Sequence, residues 1–444
     1  MCKCKNMTAI NKISVKGFRN IESVEIDLQK VTSLLAPNNY GKSNLLDAIG
    51  FGYVFMRTSA ERKQMMMKNS SSISINNIVA GLPFVFDIEG SFDEQMDFQY
   101  GYSFIWAKNN NENNDLTEGY ITNEYFKIRD NSGEKPKFSD LFKRTSENTA
   151  NYKPCNTGRC NKHLNIDSHE LVLNKLSNYD ELPYHKLIDE LLKIKFLQID
   201  TISNPENHFA LRIRMDEGNP SLVIGDWLAK YLYDLKEKES DTYEFLVSAI
   251  SNLLPNIESI EPLRLNTQKI VVDNIPYLYP DQYDIMVKES YNNQSTRFQY
   301  LSTGSMKLLY LLTCIIRAQR EGTQLILIEE LENSIHPRLL QSLLTTIEDL
   351  LGDVKLIFTS HSPNLAQYLT ASQLYIGLPS DIGVVDFRTI KQNKIKSVLK
   401  IASAADMSLG EYLFELMLDL ESDYDLIDNF FTTKKGWVYD KEKS

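Results

Sequence analysis

Val31-Thr32-Ser33-Leu34-Leu35 runs without a break into Ala36-Pro37-Asn38-Asn39-Tyr40-Gly41-Lys42-Ser43 and then into Asn44-Leu45-Leu46-Asp47-Ala48-Ile49. A short apolar strand, a loop of Pro, Asn and Gly, and an apolar helix follow in the order that sets a helix N-terminus at the end of a buried strand. The loop has the spacing G-x-x-x-x-G-K-[ST] of a phosphate cradle, with Ala36 standing where the first Gly belongs. In such a loop, successive backbone N–H groups and the positive end of the helix dipole surround an anion. Asn38, Asn39, Gly41 and Asn44 line that path; Lys42 is placed to neutralise β- and γ-phosphates, and the Ser43 hydroxyl to ligate Mg2+. A Gly-Lys-Ser tripeptide also starts helices that bind nothing. Strand, loop and helix in this order select the phosphate reading.

Working outward, residues 10–28 alternate apolar and polar side chains (Ile13, Val15, Phe18, then Val24, Ile26, Leu28) about the turn Gly17-Phe18-Arg19-Asn20. The alternation predicts two antiparallel strands. Aromatic-rich strand patterns follow at 84–88, 100–106 and 120–128, with the Asn-rich stretch 108–115 expected as a loop. Residues 130–179 are polar, show no period, and are expected to be the least ordered. Helical spacing returns over 187–260, as in Trp227, Leu228, Tyr231, Leu232 and Leu235, and reads as an inserted lobe. Strand-like runs at 269–273 and 283–288 then lead to a second α/β section at 301–376. The remainder predicts an edge strand pair within 375–385 and helices at 407–420 and 424–431. Its segment 410–428 carries seven acids and no Lys or Arg, the pattern of a solvated helical tail. There is no internal repeat and no sustained heptad run, which argues against a long coiled-coil arm.

Composition narrows the class. The chain has 444 residues, 42% of them hydrophobic and 24% charged, enough to bury a sizeable core in one compound domain or two lobes. No apolar run is long enough to span a membrane, and the start Met1-Cys2-Lys3-Cys4-Lys5 lacks a signal-peptide core, so a cytoplasmic protein is expected. Five cysteines without framework spacing fit a reducing compartment. A net charge of −11 argues against a general basic coat for nucleic acid while leaving room for a local basic stripe.

A second motif, Leu325-Ile326-Leu327-Ile328-Glu329-Glu330, suits a buried parallel strand whose carboxyl end faces a ligand. There Glu329 would hold the Mg2+ shell, with a side chain one methylene longer than the more usual Asp, and Glu330 would act as general base toward an attacking water. Leu301-Ser302-Thr303-Gly304-Ser305 precedes an apolar helix, and Ser302 lies 28 residues before Glu330. A Ser and backbone amides at a helix start make a second anion site, although an ordinary Ser N-cap has the same sequence. Leu356-Ile357-Phe358-Thr359-Ser360-His361 is another buried-type strand ending in groups able to bond a phosphate oxygen.

Together these four motifs resemble an ABC-type ATPase head. Phosphate loop, signature (Leu301 to Ser305), acidic strand and switch histidine (His361) occur in the expected order. The turn Gly17-Phe18-Arg19-Asn20, the Gly41-Lys42-Ser43-Asn44 ending and the 260-residue gap between Lys42 and Ser302 are similar to the SMC/RecF/OLD branch rather than to transport ATPases. Glu330-Leu331-Glu332-Asn333-Ser334-Ile335-His336-Pro337 resembles the EEPExxxHP string of OLD-type, AAA-family ATPases, with Leu331 departing from the Pro. Thr359-Ser360-His361-Ser362-Pro363 resembles their THSP. Only 83 residues follow His361, which fits OLD-type ATPases that lack a Toprim nuclease module, like those encoded beside separate effectors in bacterial anti-phage defence.

The resemblance implies an α/β fold: an ABC-type head with a mixed sheet and an antiparallel β subdomain, carrying an inserted, mainly helical lobe. The expected divisions are 1–90 and 296–380 for the two parts of the head, 91–194 for a β- and loop-rich insertion, 195–295 for the helical lobe with returning strands, and 381–444 for the acidic tail. ATP and Mg2+ are the implied cofactors, with Arg19, Ser302 and Gly304 added to the nucleotide contacts and Glu330 and His361 as catalytic residues. Implied partners are a second copy of the chain, in a dimer or higher oligomer closed around ATP, and an effector encoded nearby or a nucleic acid, with no membrane. The alternative is a slow ATPase scaffold that holds or inhibits a separately encoded toxin or nuclease. The glutamine that such heads place near the metal stays open between Gln95 and Gln99. Cys155-x4-Cys160-x2-His163 falls one ligand short of a zinc site unless His169 or another chain completes it. Arg57, Arg62, Lys63 and Lys68 form a basic stripe read as a solvated face.

Overall fold

In a computed structural model the described residues are 8–68, 73–92, 95–109, 116–132, 136–155, 158–199, 211–216, 219–224, 227–265, 269–272, 275–278, 282–378, 383–418 and 429–432. Residues 424–428 of the expected helix at 424–431, residues 419–428 of the acidic segment 410–428, the centre of the Asn-rich stretch, and Cys2 and Cys4 lie outside them. The chain forms two compact units, residues 1–198, 322–331 and 353–444 in one, and 199–321 and 332–352 in the other. Among the described residues no helix is long and apolar enough to cross a membrane.

The first unit opens with β1 (Ala9–Phe18), β2 (Ile21–Asp27) and β3 (Val31–Leu35), then α1 (Lys42–Arg57) and α2 (Ala60–Met66). Next come β4 (Phe84–Ser91), β5 (Met96–Ile105), the short pair β6 (Lys108–Asn109) and β7 (Leu116–Thr117), and β8 (Tyr120–Asp130). Residues 130–179, which show no sequence period, form β9 (Ser139–Ser146), β10 (Thr149–Tyr152), β11 (Lys162–Asn165) and α3 (Val172–Leu176). Order there comes from strand pairing: β8 to β11 extend an antiparallel sheet of order β11-β10-β9-β8-β5-β4-β1-β2, in which cross-strand neighbours compensate for a weak local pattern. α4 (His185–Lys193) and β12 (Phe196–Ile199) close this section.

The second unit holds β13 (Leu211–Asp216), β14 (Asn219–Ile224), α5 (Trp227–Lys238), α6 (Ser240–Leu253) and β15 (Ile257–Leu265). The expected helical lobe therefore contains strands as well. β16 (Lys269–Val272), β17 (Ile275–Leu278), β18 (Gln282–Glu289), β19 (Thr296–Arg297) and α7 (Thr303–Arg320) follow. The chain re-enters the first unit for β20 (Leu325–Ile328), leaves it for α8 (Leu340–Leu351), and returns for β21 (Lys355–Ser360) and α9 (Pro363–Ala366). β22 (Leu374–Leu378), β23 (Asp386–Arg388), α10 (Ile395–Ala404) and α11 (Leu409–Leu418) follow.

Two sheets frame the first unit. The second has order β12-β20-β21-β3-β22-β23, with β20, β21, β3 and β22 mutually parallel along the chain of pairings and β23 antiparallel at the edge. β3 and β20 are buried at every position, as strands covered on both faces must be. Helix α1 buries Leu45, Leu46, Ala48, Ile49, Gly52, Phe55 and Met56, a helical stripe. It meets the aromatic face of the antiparallel sheet, where Phe55 lies 4.8 Å from Phe104, Phe104 lies 5.0 Å from Phe84, and the Tyr102 hydroxyl donates to the Gly52 carbonyl at 2.7 Å. The basic stripe after α1 is only partly a solvated face. Lys63 is buried and donates to the Thr58 carbonyl and to Asn174 Oδ1, while Arg57 donates to the carbonyls of Leu192 and Ile194 at the end of α4. Those cations serve backbone oxygens.

Asp87 alternates with Phe86 and Ile88 and so points from the opposite face of the same sheet. Burial pushes its carboxyl up to about 6, against the Tyr125 hydroxyl that donates to it at 2.8 Å and the positive charge of Lys16. Because the folded value lies above the unfolded one near 3.8, this contribution to stability is full below that value and is lost as pH rises through 6. The loss is of the order of 2–3 kcal/mol at neutral pH. Asp87→Asn keeps an acceptor for Tyr125 and does not titrate, so its melting temperature should rise relative to wild type between pH 4 and pH 8, by about 3 °C or more. A difference that stays flat across that range would show that Asp87 keeps an ordinary carboxylate pKa.

Candidate functional site

Parallel strands deliver their following loops to one edge. The loops after β3 and β20 carry the phosphate-loop sequence and the paired carboxylates, and Thr359 to His361 stand at the end of β21. The Ala36 N–H donates to the Ser360 carbonyl at 3.3 Å, which ties the first and third of these loops together.

The phosphate loop turns through two left-handed residues, Asn39 (φ 68°) and Gly41 (φ 77°). At Gly41 a side chain is excluded twice over, by φ and by Val385, whose Cγ2 would lie 2.2 Å from an added Cβ. Gly41 caps α1, so the free N–H groups of the first helical turn face the loop. Ser43 is exposed on that turn. Lys42 is buried, and its ammonium donates to the carbonyls of Ala36 (2.7 Å) and Pro37 (2.8 Å). A phosphate oxygen is a stronger, charge-assisted acceptor for the same donor.

The hairpin turn clasps the helix. Arg19, at φ 48°, donates to Asn44 Oδ1 at 2.8 Å and pairs with Asp47 at 2.6 Å. The Asn44 amide in turn donates to Asn20 Oδ1 at 2.8 Å, and Val385 N–H donates to the Asn20 carbonyl at 2.8 Å. Arg19 thus reaches the first two turns of α1 directly. A cavity of about 160 Å³ opens beside this clasp, lined by Asn20, Asn39, Tyr40, Leu378 and the 383–385 backbone.

Glu329 and Glu330 are half-buried at the end of β20. Glu330 has φ 45°, and its N–H donates to Thr359 Oγ1 at 2.9 Å while the Leu331 N–H donates to the Thr359 carbonyl at 3.2 Å. Thr359 therefore positions the acidic turn, a role that the sequence hides among the polar residues of its string. Strain of this kind is held where surrounding bonds over-determine the backbone. His361 is exposed at the end of β21. Hard oxygen donors at this edge, the Ser43 hydroxyl and the Glu329 carboxylate, are of the kind that would hold a Mg2+ ion.

Neither glutamine suggested by the sequence lies by this loop: Gln99 on β5 is registered between Glu89 and Lys127, and Gln95 sits in the β4–β5 connection. The structure brings up Gln198 instead. Lys195 and Gln324 bond at the starts of β12 and β20, so Gln198 emerges near the carboxyl edge, and its Nε2 lies 3.5 Å from Asp47 Oδ1. No local pattern marks Gln198; only the pairing of two distant segments brings it to α1.

Ser302 and Gly304 belong to the second unit. Ser302 caps α7, its Oγ accepting from the Ser305 N–H at 3.1 Å and lying 2.8 Å from Ser305 Oγ. An added Cβ on Gly304 would stand 2.7 Å from the carbonyl oxygen of Ser334, itself at φ 60°. Buried Lys307 donates to the Asn333 carbonyl at 2.7 Å, so the signature sequence and the 333–334 loop are held as one piece. Cys160 donates to the Asn151 carbonyl, and burial pushes its thiol up to about 11; among the described residues no three His, Cys, Asp or Glu side chains gather as a metal site.

Comparison with known proteins adds four findings. Over 159 residues the chain is 28% identical to Septu protein PtuA of Bacillus thuringiensis, a match that covers 32% of this chain and 39% of that protein. The SmcHead bound to the C-winged helix domain of ScpA overlays 87% of this chain and 99% of its own, with a TM-score of 0.44 and 14% identity. The SMC head domain from Thermotoga maritima overlays 86% and 99%, at 0.38 and 11%. The AAA ATPase domain family matches residues 9–366. That span runs from the first strand past His361 and takes in the 36–43 loop, Ser302, Gly304, Glu329, Glu330 and His361, and the chain is a member of the AAA ATPase domain family.

Proposed function

We propose that the chain binds Mg2+ and ATP at the 36–43 loop, hydrolyses the terminal phosphate, and dimerises around the nucleotide to gate an effector or nucleic acid. The observation that supports this best is the convergence of Lys42, Ser43, Glu329, Glu330 and His361 on one edge of a parallel sheet. Lys42 would exchange the Ala36 and Pro37 carbonyls for phosphate oxygens, and the α1 N–H groups would bond the same anion. Bound metal would supply charge neutralisation at the transferred phosphoryl group, held by Ser43 and Glu329. Glu330 would take a proton from water as the water oxygen bonds to the γ-phosphorus and the bond to the bridging oxygen breaks, with His361 a donor to the phosphate.

Ser302 and Gly304 are read as facing the γ-phosphate held by a second copy of the chain. ATP would then bridge two copies and ADP would not, which makes hydrolysis a timed release. The setting of OLD-type anti-phage defence rests on the 330–337 and 359–363 strings. A scaffold role would show itself as stoichiometric co-purification with a neighbour-encoded protein and turnover indifferent to DNA or RNA.

Three experiments test this reading. Lys42→Ala should lower ATP turnover to about 1% of wild type or less, because the phosphates lose their main cation; wild-type rates would remove the loop from the mechanism. Glu330→Gln should bind ATP, turn over about a hundredfold more slowly and accumulate as a two-fold dimer by light scattering. A monomer under those conditions, in wild type as well, contradicts the shared site. Ser302→Arg and Lys42→Ala, each silent alone, should partly recover activity when mixed, since a heterodimer holds one site with both defects and one with neither. Wild-type turnover by Ser302→Arg alone would leave Ser302 only a helix cap.

A further inference from the structure

Among the described residues, Tyr291 and Tyr300 are the two most exposed large hydrophobic side chains, 88% and 71% accessible. Tyr300 lines a concave surface of about 740 Å³ in the second unit, and Tyr291 is the chain neighbour of Asn292 in its lining. Apart from Met286, the rest of the lining is amide and hydroxyl, with Asn293, Gln294 and Ser295 in the turn between β18 and β19, and one guanidinium, Arg297. Its charges are paired within the surface. Arg297 meets Asp284 at 3.2 Å, Lys288 donates to the Asn292 carbonyl, and the Asn292 amide donates to Glu289 at 2.8 Å. Tyr300 stands on a rigid base, because Phe298 and Leu301 on either side are buried and the Leu301 N–H closes the turn on the Phe298 carbonyl at 3.1 Å. Two residues further on is Ser302.

We propose that this surface receives the base and ribose of the nucleotide whose phosphates lie in the loop of the second copy, with Tyr300 stacking on the base. The assignment rests on the composite site proposed above. An aromatic face with side-chain amides and no net cation suits a nucleobase, whereas a polyanionic strand needs a basic track that these paired charges do not offer. A nucleotide bridging two copies presents that neutral end, because its phosphates are neutralised by Lys42 of the chain that binds it. The sequence leading into Ser302 is where a trans contact to the base and ribose would fall.

The test uses ATP-driven dimerisation of the full-length Glu330→Gln chain, followed by analytical ultracentrifugation across an ATP titration. Adding Tyr300→Ala should raise the midpoint ATP concentration about tenfold, the usual effect of removing one base–aromatic stack. Tyr300→Phe should restore it. An unchanged midpoint in the Tyr300→Ala protein overturns this assignment while leaving the composite site standing. Absence of any ATP-dependent dimer in Glu330→Gln itself overturns the composite site and this assignment together. Loss of binding to a fluorescent single-stranded oligonucleotide, with the ATP midpoint unmoved, likewise overturns it in favour of a nucleic-acid platform.

Discussion

Helix α1 is the constraint on which the first unit depends. Its apolar stripe is seated on the aromatic face of the antiparallel sheet, while its N-terminus must meet the end of β3 in the parallel sheet. One helix therefore serves two sheets, and the loop between β3 and α1 is fixed at both ends. Burial of Phe55, Phe84, Phe104 and Tyr102 supplies the driving force, and each such ring contributes on the order of 2–3 kcal/mol when removed from water. What that burial secures is the direction in which the first N–H groups of α1 point.

The polar bonds around α1 convert position into chemistry. Arg19 and Asn20 grip Asn44 and Asp47, Gln198 approaches Asp47 from β12, and Val385 closes on Asn20 from the far edge of the sheet. Three segments distant in sequence thus converge around two turns of helix. Left-handed backbone at Arg19, Asn39 and Glu330 falls within this region, where neighbouring bonds hold each residue in place. With the backbone held in this way, the Lys42 ammonium, bonded to the Ala36 and Pro37 carbonyls, is the group that an anion would have to draw away.

The second unit repeats the logic on a smaller scale. Gly304 admits the Ser334 carbonyl, Lys307 holds the Asn333 carbonyl, and Ser302 caps α7. A helix start with its donors ordered and a buried ammonium one turn behind it suits phosphate, and the same features make a stable cap. The mixing experiment separates the two, because only a phosphate contact couples one chain to another.

By itself the sequence determined the elements with strong local signals: the hairpin about residues 17–20, the strand–loop–helix of 31–57, and the buried strands ending in Glu329-Glu330 and at His361. Those signals are periodicity, turn residues and spacing, all carried by neighbours along the chain. The tertiary structure alone decided what depends on distant partners. Residues 139–146, 149–152 and 162–165 became strands because β8 offered an edge to pair with, and Lys63 was buried because Asn174 and the Thr58 carbonyl met its charge. Gln198 reaches Asp47 on α1 because β12 lies beside β20, and Thr359 was revealed as the support of Glu330. Hydrogen bonds across 29 or 151 residues of chain leave no local pattern, since either partner alone looks like any other polar side chain.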